Sequence, residues 1–167
     1  MSTASFAGAV REHLDSVYRY LLTTTKNAAI AEDLTSETFE RALRRWHRFD
    51  PQRAGERTWL LMIARSAALD HFRAEERRQR REQRFASEQE EEHDADVRID
   101  LGLSPALEAG LSELSAAERE VVALRVVIEL DGDTTAGLLG ISKSACSTRL
   151  SRALRKLEEK VSAHVAV

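Results

Sequence analysis

The residues of this chain best suited to touching another molecule lie between Lys143 and Lys156. Lys143, Ser144, Ser147, Thr148, Ser151, Arg152 and Arg155 share one face of a candidate helix, and Arg149 and Lys156 add to its positive charge. No acid interrupts them before Glu158. Guanidinium and ammonium groups bind phosphate oxygens, and short hydroxyl donors reach base edges in a major groove, so this face suits duplex DNA. A basic helix turned only to solvent has the same composition, and the stretch by itself leaves both readings open.

Two further groups have the types and spacing for contact. Glu32, Asp33, Ser36, Glu37 and Glu40 lie on one side of a candidate helix that ends in Arg41, Arg44, Arg45 and Arg48. Acids early and arginines late match the helix dipole, which accounts for the arginines better than for acids clustered with Ser36 and Thr38. Farther on, Arg73, Arg77, Arg78, Arg80, Arg81 and Arg84 crowd a helix whose apolar stripe has ended. A helix that leaves its core in this way projects into solvent or lies on a polyanion. Glu75, Glu76 and Glu82 dilute the positive field, so DNA contact is favoured for Arg73 and Arg77 and less so beyond them.

The chemistry of an enzyme is harder to find. His13, His47, His71, His93 and His164 show no metal spacing with one another or with Cys146, and no nucleophile stands beside a plausible base. Residues 88–92 are rich in Glu but lack the loop glycine and alternating ligands of a calcium site. No cofactor and no metal are expected. The single cysteine, Cys146, excludes a disulfide framework within the chain and reads as a small buried hydrophobe.

The elements that position these groups all read as helices, so the expected class is all-α. In residues 6–25, Phe6, Val10, Leu14, Val17, Tyr18, Leu21 and Leu22 recur at steps of three and four. A second helix from Ala28 buries Ile30, Leu34, Phe39, Ala42, Leu43 and Trp46, and Phe49-Asp50-Pro51 stops it. Thr58 is a candidate cap for a long helix reaching Phe85, whose core face is Trp59, Leu60, Ile63, Ala64, Ala67 and Ala68. Ser104-Pro105 opens a further helix, and Ser115 to Glu118 is a capping box before a helix burying Val121, Val122, Leu124, the stem of Arg125, Val126 and Ile128. Asp131 caps a short helix, Gly140 turns the chain, and Ser142 caps the basic helix, whose stripe is Cys146, Leu150, Ala153 and Leu157. Two helices joined by a glycine turn form a helix-turn-helix.

The 167 residues carry a net charge of −3, which hides a strong asymmetry. Residues 1–86 hold 16 basic and 12 acidic side chains, and residues 87–167 hold 9 and 16. Ser87 to Asp100 is acidic, without aromatics or a helical stripe, and cannot bury enough apolar area to offset chain entropy. The expected organisation is therefore a lobe at 1–86, a linker at 87–103 and a second lobe at 104–167. No signal peptide or membrane span is apparent, so a soluble cytoplasmic protein without membrane insertion is expected.

Two separate stretches resemble one family. AEDLTSETFERALRRWHRF followed by TWLLMIARSAALDHFR is similar to the second region of bacterial RNA polymerase sigma factors. LSELSAAEREVVALRVVIELDGDTTAGLLGISKSACSTRLSRALRKL is similar to their fourth region. The two-lobe layout resembles the extracytoplasmic-function (ECF) group of that sigma-70 family. The resemblance implies that Glu32, Asp33, Ser36, Glu37, Glu40 and Arg41 bind core RNA polymerase, at the clamp helices of its beta-prime subunit, with the beta subunit also engaged. It implies minus-10 promoter DNA contact by Arg65, Ser66, Asp70, His71, Arg73 and Arg77. It gives Lys143, Ser144, Ser147, Thr148, Arg149, Ser151, Arg152 and Arg155 to the minus-35 element, and it implies an anti-sigma partner protein.

Two departures from the family stand out. Ser66 occupies a position where many relatives carry asparagine, and Thr134-Thr135-Ala136-Gly137 replaces acidic and large apolar helix formers. Gly137 costs about 1 kcal/mol in a helix interior, so a softer second lobe is expected. The departures motivate an alternative function, a polymerase-binding adaptor or competitor without productive promoter opening.

Overall fold

The computed structural model describes residues 3–85 and 104–165, in which every regular element is a helix. The acidic linker expected at 87–103 lies outside the described residues. Helix α1 runs Thr3–Thr25, and Lys26 then takes a left-handed conformation (φ 55°) that turns the chain back. Asn27 caps α2, Ala28–Arg45, by accepting from the Ile30 N–H at 3.0 Å. A 3-10 turn, Trp46–Arg48, follows, and Trp46 stacks on Phe49 with ring centroids 5.1 Å apart. Phe6 and Trp59 meet the same indole edge-on at 5.2 and 5.8 Å, so four aromatic rings close one end of the first lobe.

Helix α3 spans Glu56–Phe85. It begins a turn earlier than Thr58 suggested, because the Gly55 carbonyl already accepts from the Trp59 N–H at 3.0 Å; Thr58 lies inside the first turn and does not cap. Its buried face is Leu60, Leu61, Ile63, Ala64, Ala67 and Ala68. Not every residue of the apolar stripes goes inside. Leu14 is 47% exposed and Leu43 is 53% exposed, because each lies at the margin of a stripe whose centre alone meets the neighbouring helices.

The second lobe opens with α4, Pro105–Glu113, capped by Ser104, and α5, Ala116–Val122, started by the expected capping box at Ser115 and Glu118. Helix α5 then widens into a π-wound stretch, Ala123–Val127, where the Ile128 N–H reaches the Ala123 carbonyl five residues back at 2.9 Å. The extra residue in that turn rotates Val126 outward, leaving it 49% exposed, whereas regular helical spacing put it in the core. Helix α6, Gly132–Leu139, is capped by Asp131, whose carboxyl is held below its ordinary pKa by the Thr134 hydroxyl and N–H. Gly140 at φ 66° supplies the left-handed turn, and Ser142 Oγ accepts from the Ala145 N–H at 3.1 Å as α7, Lys143–Val165, begins.

The two halves do not pack as separate cores. Val121, Ala123, Leu124 and Ile128 belong to the same buried cluster as Val17, Leu21, Leu60 and Ala64. A smaller cluster of Leu111, Leu114, Val122, Ala153 and Leu157 binds α4, α5 and α7 together behind it. Cys146, Ala153 and Leu157 are buried along α7 and Leu150 is half-buried, as the stripe predicts. Among the described residues no helix is long and apolar enough to cross a membrane.

Candidate polymerase and promoter interface

On α2, burial of Ala31, Leu34, Thr35, Thr38 and Ala42 turns the acidic side outward. Glu32, Asp33, Ser36 and Glu40 are exposed, while Glu37 and Arg41 are half-buried at the edge of the row. Thr38, read from sequence as part of this polar face, is fully buried instead and donates to the Leu34 carbonyl at 2.6 Å. Arg41 donates to Glu37 at 2.5 Å and to Asp70 of α3 at 2.9 Å. Hydrogen bonding to Asp70 is the main reason its guanidinium pKa is raised. Arg44 pairs with Glu40 one turn back. Carboxylates one helix wide with charged partners only along their edge form a compact negative surface, suited to steering a basic partner.

Along α3, Ser66, Asp70, Arg73 and Arg77 are exposed or half-exposed at the surface and His71 is half-buried. Asp70 also lies 3.9 Å from Arg73, so it links the acidic row on α2 to the basic residues farther along α3. Beyond them the dilution seen in sequence is realised as ion pairs, Arg78 with Glu75 at 2.7 Å and Arg80 with Glu76 at 2.8 Å. Arg65 is different. Its side chain is 27% exposed, and its Nε donates to Glu120 of the second lobe at 2.8 Å.

The α7 face retains the expected character. Lys143, Ser144, Ser147, Thr148, Ser151, Arg152 and Arg155 are exposed, whereas Arg149 is half-buried beside the apolar stripe. Lys143 is tied at 2.7 Å to Asp133 of α6, bracing the two helices of the helix-turn-helix. Arg149 and Arg152 have no ion-pair partner among the described residues, so both guanidinium groups are free to meet an anion. Lys156 instead joins Glu118, 2.8 Å away, and with the Ser115 N–H pulls that carboxyl down to about 2.

The contacts between lobes carry groups that local pattern did not single out. Glu120 accepts from the Tyr20 hydroxyl at 2.9 Å as well as from Arg65. Burial, with Glu120 adding to it, raises the Tyr20 pKa well above the usual phenol value. Arg119 donates to the carbonyls of Leu111, Leu114 and, across the lobe boundary, Thr24 at 3.4 Å; burial lowers its pKa. Arg57 donates to the Ile128 carbonyl. The only sequence signal for these was a charged residue on an apolar helix, at Arg119 and Glu120, with no indication of the partner.

Glu12, His13 and Glu56 each place one ligand atom within 4.8 Å of the others, and His13 lies 3.7 Å from Glu56. His–His or His–Cys spacing in the sequence does not reveal this group, whose side chains come from two helices. It offers one imidazole and two carboxylates, with Glu12 and His13 adjacent on α1 and Glu56 at the start of α3.

An exposed acidic row, a basic continuation on a second helix and a helix-turn-helix with unpaired arginines define an all-helical protein of two lobes with charged contact surfaces. Sigma-70 region 2 matches residues 9–78, and the region 4 pattern of the same family matches residues 105–157. The chain belongs to the sigma-70 family, in its ECF RNA polymerase sigma factor group. It is 35% identical over 92% of its length to the ECF RNA polymerase sigma factor BldN of Streptomyces coelicolor, of which it spans 59%. It is 31% identical to the sigma factor CarQ of Myxococcus xanthus over 93% of its length and 88% of that protein. Among solved structures, the sigma factor RpoE of Bartonella quintana, seen with the anti-sigma factor NepR, shares the fold at a TM-score of 0.78 and 22% identity over 95% of this chain and 97% of that one.

Proposed function

We propose that this chain binds core RNA polymerase and directs initiation at promoters carrying minus-10 and minus-35 elements, with no chemical step of its own. The observation that carries the proposal is the division of surface charge between lobes. A carboxylate row on α2 faces outward in the first lobe, and a hydroxyl- and arginine-rich face on α7 does so in the second.

The proposed assignment of residues follows those surfaces. Glu32, Asp33, Ser36, Glu37, Glu40 and Arg41 meet the beta-prime clamp helices. Individual exposed pairs there contribute about 0–1 kcal/mol, so the row acts through steering and specificity. Ser66, Asp70, His71, Arg73 and Arg77, with Arg65 once it is released, lie against minus-10 DNA. Serine at position 66 reaches less far than asparagine and discriminates less among flipped bases, whose capture must offset a few kcal/mol of unstacking. On α7, Arg149, Arg152 and Arg155 supply phosphate contacts, and Lys143, Ser144, Ser147, Thr148 and Ser151 read or border the minus-35 bases.

Two relatives by fold are described in complex with partners named as anti-sigma factor NepR and the cytosolic domain of CnrY. By extension, a protein partner of that kind is proposed for this chain, acting in the cytoplasm where polymerase works. Run-off transcription sequencing with core polymerase tests the function. Transcripts sharing two upstream elements support it, and tight polymerase binding without a promoter-dependent transcript on any genomic template overturns it in favour of an adaptor or competitor.

A further inference from the structure

Helix α1 sets Glu12 and His13 beside Glu56, the first residue of α3, so that one ligand atom from each lies within 4.8 Å of the others. The His13 side chain is the most enclosed, 12% exposed against 34% for Glu56, and Glu12 faces solvent. His13 Nε2 and a Glu56 carboxylate oxygen are 3.7 Å apart. That is too long for a hydrogen bond. It is close to the edge of about 3.4 Å between two ligands of a tetrahedral ion whose bonds are about 2.1 Å.

The negative charge of the group is left uncompensated. The other carboxylates of α3 each meet an arginine: Asp70 meets Arg41, Glu75 and Glu82 meet Arg78, and Glu76 meets Arg80. Glu56 meets an imidazole instead, and Glu12 has no ion-pair partner among the described residues. Arg57, next to Glu56 in sequence, turns away to the Ile128 carbonyl. Two carboxylates converge on a half-enclosed ring nitrogen with no lysine or arginine between them, and such like charges repel unless a cation is shared.

We propose that Glu12, His13 and Glu56 form a site for a first-row divalent cation, best met by Zn2+, that fastens α1 to the first turn of α3. Ca2+ and Mg2+ take oxygen ligands, whereas one imidazole with carboxylates suits zinc. His13 and Glu56 fix the position, and the exposed Glu12 rotates in as the third ligand, leaving the fourth place to water. The ion lies one turn ahead of Trp59, whose ring belongs to the aromatic end of the first lobe. None of the three residues belongs to the polymerase or promoter surfaces assigned above, so occupancy is independent of them.

The test titrates the full chain with Zn2+ by calorimetry, beside Glu12→Gln, His13→Gln and Glu56→Gln. His47→Gln, at an exposed histidine outside the group, is the control. The parent and the control should bind one Zn2+ more tightly than any other equivalent. Each ligand variant should weaken that event by more than about tenfold, the lower end of what losing a mere outer-shell partner costs. A second titration reads position. Trp46 and Trp59 are the two tryptophans of the chain, so Co2+ at the site should quench the indole fluorescence of the parent, and Zn2+ should restore it. Co2+ should leave Glu12→Gln bright at the same concentration. Because Glu12 is exposed, that variant keeps the fold and decides the matter even if His13→Gln unfolds. Absence of a tight Zn2+ equivalent in the parent overturns the site. Binding and quenching undiminished in Glu12→Gln and Glu56→Gln overturn it equally, by placing the ion elsewhere.

Discussion

Arg41 on α2 donates to Asp70 on α3 at 2.9 Å, so a residue assigned to the polymerase surface is bonded to one assigned to promoter DNA. The same guanidinium holds Glu37, which places one cation between two carboxylates. The Asp70 side chain is half exposed, and exposed ion pairs contribute about 0–1 kcal/mol. Asp70→Asn should therefore lower stability by under about 1 kcal/mol in urea titration. Arg41→Ala should cost more, since it leaves Glu37 and Asp70 to repel each other, and should weaken polymerase binding more than Asp70→Asn does. Equal losses of affinity would show that Arg41 contributes only through Asp70.

The capping box of α5 makes an acid-labile point. Glu118 is pulled from 4.5 to about 2, first by Lys156 and then by the Ser115 N–H. A folded-state pKa below the unfolded one gives stability that is fully present above the unfolded value and disappears as pH falls through the folded one. The loss should run from about pH 4.5 down to about pH 2, and Glu118→Gln should flatten that part of a stability-against-pH curve. Unchanged acid sensitivity in the variant would place the labile group elsewhere.

These cases also show what local pattern can and cannot reveal. The caps at Ser104, Ser115 and Asp131, the Gly140 turn and the stripe of α7 are short-range features, and each was legible in sequence because its partners lie within a few residues. The outward-facing acids of α2 and hydroxyls of α7 were legible for the same reason. Thr58 and Val126 were misread because Gly55 starts α3 early and one π-wound turn shifts the phase of α5. The shared core and the Tyr20–Glu120–Arg65 contact depend on pairs 55 and 100 residues apart, which no periodicity encodes.

Gly137 bears on the softness expected of the second lobe. It is exposed near the end of α6, and a Cβ built there would meet nothing within 4 Å. Gly137→Ala should stabilise the protein by about 0.5–1 kcal/mol, through helix propensity and a less free unfolded chain. Gly140→Ala should do the opposite, because φ 66° strains any residue with a Cβ. Thr135 contributes little softness, since its buried hydroxyl donates to the Asp131 carbonyl at 2.8 Å. Thermal unfolding of the two glycine variants checks both signs.

The DNA contacts proposed for Arg152 and Arg149 can be told apart from folding on the same helix. Arg152 is exposed and has no ion-pair partner among the described residues, so Arg152→Glu should leave stability within about 0.5 kcal/mol of the parent. If it contacts a phosphate, the substitution should weaken duplex binding across sequences, and Arg152→Ala should reduce the slope of log affinity against log salt by about one contact. Arg149 is half-buried beside Cys146 and Leu150, so Arg149→Glu should lose stability as well as DNA affinity. Polymerase binding through α2 should survive Arg152→Glu, because Glu32, Asp33, Ser36 and Glu40 are exposed on the other lobe. Loss of polymerase binding together with promoter selection, in a variant whose unfolding curve matches the parent, would mean that α7 and not α2 carries the polymerase surface.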